Sequence, residues 1–129
     1  MIRSENISKG KSGENLASKY LLKKGFQIVE KNFRFGKFGE IDIVCKKDDL
    51  LVFVEVRSKT NLNRGTPEES ITDFKREKIL KSAKYFLMKN PQYNNFNIRF
   101  DFIGIKLKGK IFKKIEIEHI ENVFSCDEF

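Results

Sequence analysis

The sequence predicts an α/β fold, a mixed β-sheet flanked by helices in the order helix, strand, strand, strand, helix, strand, strand. Three observations predict it. Residues 14–24 carry apolar side chains at helical spacing, three short strand-like runs between residues 26 and 57 are separated only by turn signals, and a capping sequence at residues 66–69 opens a second helix.

Residues 1–12 are polar and are expected to form a mobile lead-in, with residues 13–129 as one domain. In the first helix Leu16, Ala17, Tyr20 and Leu21 share one face, and Gly25 stops it. Phe26 to Phe35 is strand-forming and leads to a turn between Gly36 and Gly39. Ile41 to Cys45 reads as a second strand, Lys46 to Asp49 as a turn, and Leu50 to Arg57 as a third strand, which together predict an antiparallel meander. Ser58 to Gly65 is polar and aperiodic, so a mobile loop is expected. Thr66 can cap the next helix, Pro67 sits where its missing N–H costs nothing, and Glu69 completes a capping box. That helix should run to Lys89, before Asn90-Pro91. Ile98 to Ile105 and Ile111 to Ile117 follow as strands. A strand entered after a long helix can lie parallel to the meander, which makes the sheet mixed.

Composition narrows the function. The longest uncharged apolar run, Leu50 to Val54, is too short to span a bilayer, so no membrane partner is expected. The amino terminus lacks an apolar stretch and cleavage site, and a cytoplasmic location is the default expectation. Cys45 and Cys126 are too few for a disulfide framework, and Cys45 reads as a small core residue. With His119 the lone histidine, a structural zinc site has too few ligands. The formal charge is +8, with 26 basic and 18 acidic residues. Residues 1–38 hold nine Lys or Arg against three Glu, whereas residues 116–129 hold five acids and no Lys or Arg. A basic half suits a phosphate backbone, although a lysine-rich composition also serves solubility alone.

The chemistry concentrates in Gly39-Glu40-Ile41-Asp42-Ile43-Val44 and, after a turn, Val52-Phe53-Val54-Glu55-Val56-Arg57. Alternate residues of a strand share a face, so Glu55 and Arg57 point the same way, as do Glu40 and Asp42 on the neighbouring strand. Asp42 and Glu55 each interrupt an apolar run, where a carboxylate is costly unless paired or bound to a metal. Two such groups on adjacent strands invite a hard cation, Mg²⁺ or Mn²⁺, held by few protein oxygens and several waters. The alternative is an edge strand whose charged face forms a surface pair between Glu55 and Arg57. Leu51 and Phe53 on the Glu55 face weigh against full exposure, but the spacing alone does not decide.

Asp42 followed by Glu55-x-Arg57 on the next strand resembles the bipartite motif of the PD-(D/E)xK nuclease superfamily. The chain as a whole resembles the YraN family of small bacterial proteins, similar in fold to archaeal Holliday-junction resolvases. The resemblance rests on Gly13-Glu14-x-x-Ala17-x-x-Tyr20-Leu21, Gly25-Phe26, Asn32-x-Arg34, Gly39-Glu40-Ile41-Asp42, Phe53-Val54-Glu55-Val56-Arg57, Lys75, Arg99-Phe100-Asp101 and His119-Ile120-Glu121-Asn122-Val123-Phe124. These pieces span nearly the whole chain, and their order is more specific than any one of them. The resemblance implies a restriction-endonuclease-like fold in which Asp42, Glu55 and the Val56 carbonyl hold the metal and Glu14 joins from the first helix. Glu14 also fits an ordinary first-turn acid favoured by the helix dipole.

The superfamily pattern has Lys where this chain has Arg57. Arginine cannot serve as a general base, but it can stabilise negative charge on a phosphate. Lys75 falls between Ile71 and Ile79 on one helix stripe and could be directed at the site, or could snorkel with its head in water. Lys59 continues the Glu55 face if the strand reaches it, and Lys78 is a weaker candidate. Lys31, Arg34 and the loop to Arg64 could grip phosphates, or simply be solvated. His119 reads as structural, and Asp101 as a buried partner for Arg99 or Arg34. Three functions fit: a Mg²⁺- or Mn²⁺-dependent DNA endonuclease acting on branched or damaged DNA, a non-catalytic nucleic-acid-binding module, and an accessory protein working through a protein partner. A symmetrical junction would make a homodimer natural.

Overall fold

A computed structural model describes residues 2–59, 71–108 and 114–123. Helix α1 (Ile2–Lys23) is followed by β1 (Gln27–Phe35), β2 (Gly39–Lys47), β3 (Leu50–Lys59), helix α2 (Asp73–Lys89), β4 (Asn97–Lys108) and β5 (Lys114–Ile120), with a short 3-10 helix (Pro91–Tyr93) before β4. This is the element order the sequence predicts. The five strands lie in the order β1-β2-β3-β4-β5. The first three pair antiparallel, β4 joins β3 in parallel after the α2 crossover, and β5 returns antiparallel.

Local chemistry explains the joints. Gly25 adopts φ 96, and the Phe26 and Gly25 N–H groups donate to the Leu21 and Leu22 carbonyls, each at 3.0 Å. That is a Schellman cap, and its hydrophobic partners Leu21 and Phe26 share one core cluster. The β2–β3 turn uses Asp48 at φ 55, a conformation that a short polar side chain tolerates.

Alternation along β3 divides the core between two helices. Val52 and Val54 pack with Ala17 and Leu21 of α1 together with Ile43, Cys45, Ile103 and Ile105. Leu51 and Phe53 face the other way, against Ile79, Leu80, Ala83 and Phe86 of α2 and Phe100. Rings dominate this second cluster: Phe86 meets Phe33 and Phe53 edge-on with centroids 5.1 and 5.7 Å apart. Such geometry adds roughly 0.5–1.5 kcal/mol per pair beyond burial.

Several boundaries differ from the sequence reading. α1 begins at Ile2, so the stretch expected as a mobile lead-in has helical backbone. Its polar composition lacks an apolar stripe, which is why periodicity missed it. α2 begins at Asp73 rather than Thr66: Thr72 is its N-cap, accepting from the Lys75 N–H at 3.2 Å. Thr66-Pro67-Glu68-Glu69, the loop through Gly65 and Arg64 lie outside the described residues. β3 runs on to Lys59, through Ser58, which was expected in the loop. β5 runs over Lys114–Ile120, past the expected end at Ile117, while residues 111–113 of the expected strand lie outside the described residues. No helix among the described residues is long and apolar enough to cross a membrane.

Candidate active site

The site forms where the sheet opens. β1–β2 pairing carries Lys31 opposite Ile43 and Phe33 opposite Ile41, which leaves Asn32 opposite Asp42. Asn32 holds φ 54, a left-handed conformation open to asparagine within an otherwise extended strand. Simple alternation would send Ile41 to the same side as Ile43. Instead Phe33 and Ile41 join the α2 cluster, whereas Ile43 belongs to the α1 cluster. The strand pair therefore turns over at Asn32 and Asp42. The β2–β3 ladder also stops there, at Ile43 opposite Val54. One step further Asp42 lies opposite Glu55, and the Val56 N–H donates to Asp42 Oδ2 at 2.8 Å. A side chain has taken the place of a ladder bond.

Glu55 is 7% exposed. Its Oε2 pairs with Lys75 Nζ at 2.5 Å and with Arg57 Nε at 3.3 Å. Lys75 comes from the first turn of α2, which crosses that face of the sheet. From α1, half-buried Glu14 accepts from Asn32 Nδ2 at 3.0 Å, and neighbouring Asn15 accepts from Lys31 Nζ at 3.0 Å.

Burial, then the negative charge of Glu55, pushes the Asp42 carboxyl from its ordinary 3.8 up to about 8. The Val56 N–H pulls the other way, while the Glu14 charge and a hydrogen bond to Glu55 raise it further. The charge count explains the direction. Lys75 and Arg57 offset Glu55 and Glu14, so an ionised Asp42 would be one negative charge in excess. A proton relieves that excess in the isolated protein, and a divalent cation would relieve it equally well.

The donor set has limits. Among the described residues no three Asp, Glu, His or Cys side chains converge tightly enough to hold an ion by themselves. Asp42 and Glu55 could hold one with the Val56 carbonyl and water, with Glu14 reaching it through a water. Few protein oxygens and several waters is the arrangement Mg²⁺ favours.

The fold thus brings together Glu14, Asp42, Glu55, Val56, Arg57 and Lys75. Lys31 stands at the α1 rim beside Asn15. Arg34 pairs with Glu40 at 3.5 Å near the β1–β2 turn and does not reach Asp101. The Lys59 side chain and all of Arg64 lie outside what is described. Asn32 entered the sequence reading only as part of a motif; its role in holding Glu14 depends on a backbone conformation that no spacing rule exposes.

A second polar cluster lies on the α1 face. Asp101, 1% exposed, accepts from Arg99 Nε and Nη2 at 2.8 and 2.9 Å and from the Asn122 N–H at 3.0 Å. His119 Nε2 is 2.7 Å from Asp101 Oδ2, and Tyr20 OH is 2.9 Å from His119 Nδ1. Burial alone would raise the Asp101 carboxyl, but the hydrogen bonds from His119, Arg99 and Asn122 hold it below the ordinary carboxylate value. The network ties β5 and the end of α1 to β4.

A protein-family model described as "Uncharacterised protein family UPF0102" matches residues 13–105, which include every member of the acidic site. Among curated relatives, a "UPF0102 protein" of Clostridioides difficile is 47% identical over 119 residues, covering 92% of this chain and 98% of the relative. One from Persephonella marina is 44% identical, covering 92% and 95%, and one from Natranaerobius thermophilus is 41% identical, covering 92% and 98%. By matches that run almost end to end in both partners, the chain belongs to the UPF0102 family.

Proposed function

We propose that this protein is a metal-dependent endonuclease that hydrolyses phosphodiester bonds in DNA, branched or damaged DNA included. The observation that carries the reading is the facing pair Asp42 and Glu55 at the opening of the sheet, with Lys75 and Arg57 on Glu55. Their likeness to the PD-(D/E)xK pattern supplies the reaction class, and the basic first third of the chain suits a polyanion.

Bound Mg²⁺ or Mn²⁺ would supply Lewis-acid polarisation of the phosphate and a water acidic enough to attack it. Asp42 and Glu55 would hold the cation, Asp42 giving up its proton to do so. Asn32 keeps Glu14 aimed at the same space. Arg57 cannot accept a proton, so its part is to stabilise charge accumulating on the phosphate. Lys75 presents a second cation from the opposite wall and orients the Glu55 carboxylate that it touches. Two copies would suit a symmetrical junction, each making one cut.

Incubation with branched, flapped and linear DNA in Mg²⁺, Mn²⁺ or EDTA tests the reading. Cleavage should require the metal and vanish in Asp42→Ala with Glu55→Ala. A second reading has one observation in its favour: Glu55 Oε2 is already engaged by two cations, as in a purely structural ion pair. In that case the protein binds DNA in a salt-sensitive way and never cuts it.

A further inference from the structure

Large apolar side chains seldom stand exposed together without an occupant. Phe38 is 57% exposed and Phe74 is 68% exposed, and both line one cleft of about 220 Å³ with Lys37, Glu77, Lys78 and Lys81. Three lysines against one glutamate leave the rim positively charged.

The Phe38 ring is held by packing, and Phe74 is anchored through its helix backbone. Phe38 sits at the tip of the β1–β2 hairpin, where its N–H donates to the Phe35 carbonyl at 2.8 Å. Its ring packs on Phe35 at 5.0 Å, and Phe35 stacks on Tyr85 of α2 at 4.3 Å with planes 20° apart. Phe74 occupies the first turn of α2, with the Lys78 ammonium 4.4 Å from its ring centre. The hairpin meets α2 closely at Gly39, where an added Cβ would stand 2.9 Å from the Lys78 carbonyl oxygen. Phe74 is also the chain neighbour of Lys75, which contacts Glu55.

We propose that Phe38 and Phe74, rimmed by Lys37, Lys78 and Lys81, form a stacking platform for an unpaired base of DNA next to the acidic site. Aromatic faces interleaved with lysines are what single strands recognise, because every base offers a π-face and every link a phosphate. A base inside a duplex has no free face to offer, so the occupant belongs to a single-stranded, flapped or gapped region. The cleft is smaller than the about 300 Å³ at which pockets for whole drug-sized ligands begin, which suits one flat ring system. The lysine rim favours a polyanion over an apolar peptide. This inference rests on the nuclease reading for its substrate, and names the structural class of DNA that the site receives.

The test uses the full chain in EDTA, so that binding is read without cleavage. Anisotropy compares a labelled single-stranded oligonucleotide with a blunt duplex. A 2-aminopurine in the single strand reports stacking. Single strands should bind more tightly, with quenching of the probe. Phe38→Ala with Phe74→Ala should weaken single-strand binding about 5- to 150-fold, leave duplex binding and the native circular-dichroism spectrum unchanged, and be rescued by Phe38→Trp with Phe74→Trp. Equal affinity of the alanine variant and the parent for single strands overturns the platform, as does a parent preference for blunt duplex. Sedimentation showing that the alanine pair converts a dimer to a monomer also overturns it, because a second copy would then fill the cleft. The two readings fail separately. Ring-dependent binding without any cleavage keeps the platform and removes the nuclease, whereas metal-dependent cleavage of single-stranded and flapped DNA indifferent to both rings does the reverse.

Discussion

Replacing Asp42 with asparagine should stabilise the metal-free protein, and the gain should grow with pH. In the unfolded chain this carboxyl releases its proton near 3.8, while in the fold it holds it to about 8. Between those values the folded state carries the extra proton, so stability falls as pH rises. Every pH unit in that window carries about 1.4 kcal/mol at most. From pH 5 to pH 8 the ceiling is therefore about 4 kcal/mol. Asp42 is only half-buried, and Glu55 can share its proton, so roughly 2 kcal/mol is the expected difference. Asparagine keeps an oxygen for the Val56 N–H and has no charge to lose. Urea unfolding of both proteins in EDTA at pH 5 and pH 8 measures the effect, because titrations elsewhere cancel between them. The advantage of Asp42→Asn should be small at pH 5, large at pH 8, and reduced by millimolar Mg²⁺, which stabilises the parent. A pH-independent difference would refute the charge argument, since it would mean that Asp42 ionises in the fold as freely as in water.

Four further outcomes follow from other contacts. Gly39→Ala should cost about 1–3 kcal/mol by denaturant midpoint, since the new Cβ would stand 2.7 Å from Ser82 Oγ and 2.9 Å from the Lys78 carbonyl; Ser82→Ala should not rescue it, because the carbonyl cannot yield. Asp101→Ala strips the shared partner from Arg99 and His119 and should cost about 3–5 kcal/mol, read in the same assay. In the parent, the depressed Asp101 carboxyl contributes stability above the ordinary carboxylate range that is lost as pH falls through its lower folded value. An acid titration by circular dichroism should place that loss below about pH 4. Lys75→Ala should cost about 1–3 kcal/mol, because the buried Glu55 carboxylate is left with the longer Arg57 contact alone, and on the nuclease reading it should lower DNA cleavage about 100-fold in single-turnover kinetics.

What could be read from the chain depended on how far each feature reaches. The meander was legible because strand-forming runs at 26–35, 41–45 and 50–57 are separated only by short turn signals, which are local marks; that Val52 and Val54 face one helix and Phe53 the other shows only in the fold. The end of α1 was legible because Gly25 is a local device. Its beginning was not, because helical backbone at residues 2–12 has no apolar stripe to announce it. The α2 cap at Thr72 has neither a following Pro nor a capping-box acid beside it, so local chemistry did not single it out. At the site, Asp42 and Glu55 were found because a carboxylate inside an apolar strand is conspicuous. The turnover at Asn32 left no such mark, since it is a backbone event that becomes visible only when Phe33 and Ile41 are seen on the side away from Ile43.

Two aspartates stand within the sheet, Asp101 buried and Asp42 half-buried, and their difference argues for function at one of them. Asp101 has both oxygens satisfied by Arg99, His119 and the Asn122 N–H, and its carboxyl is held low. Every neighbour of that group makes the charge easier to keep, as expected of a carboxylate whose work is to hold β4, β5 and α1 together. Asp42 has one N–H donor and two neighbouring acids, and its carboxyl is driven up. A fold that needed only stability would lose nothing by placing asparagine there, where the same hydrogen bond survives and the repulsion disappears. Retaining the acid makes physical sense when something positive joins it, because the repulsion between Asp42 and Glu55 then becomes binding energy for a cation. On the proposed reading, the contrast between a compensated and an uncompensated aspartate on one sheet favours the opening between β2 and β3 as the place for a cation.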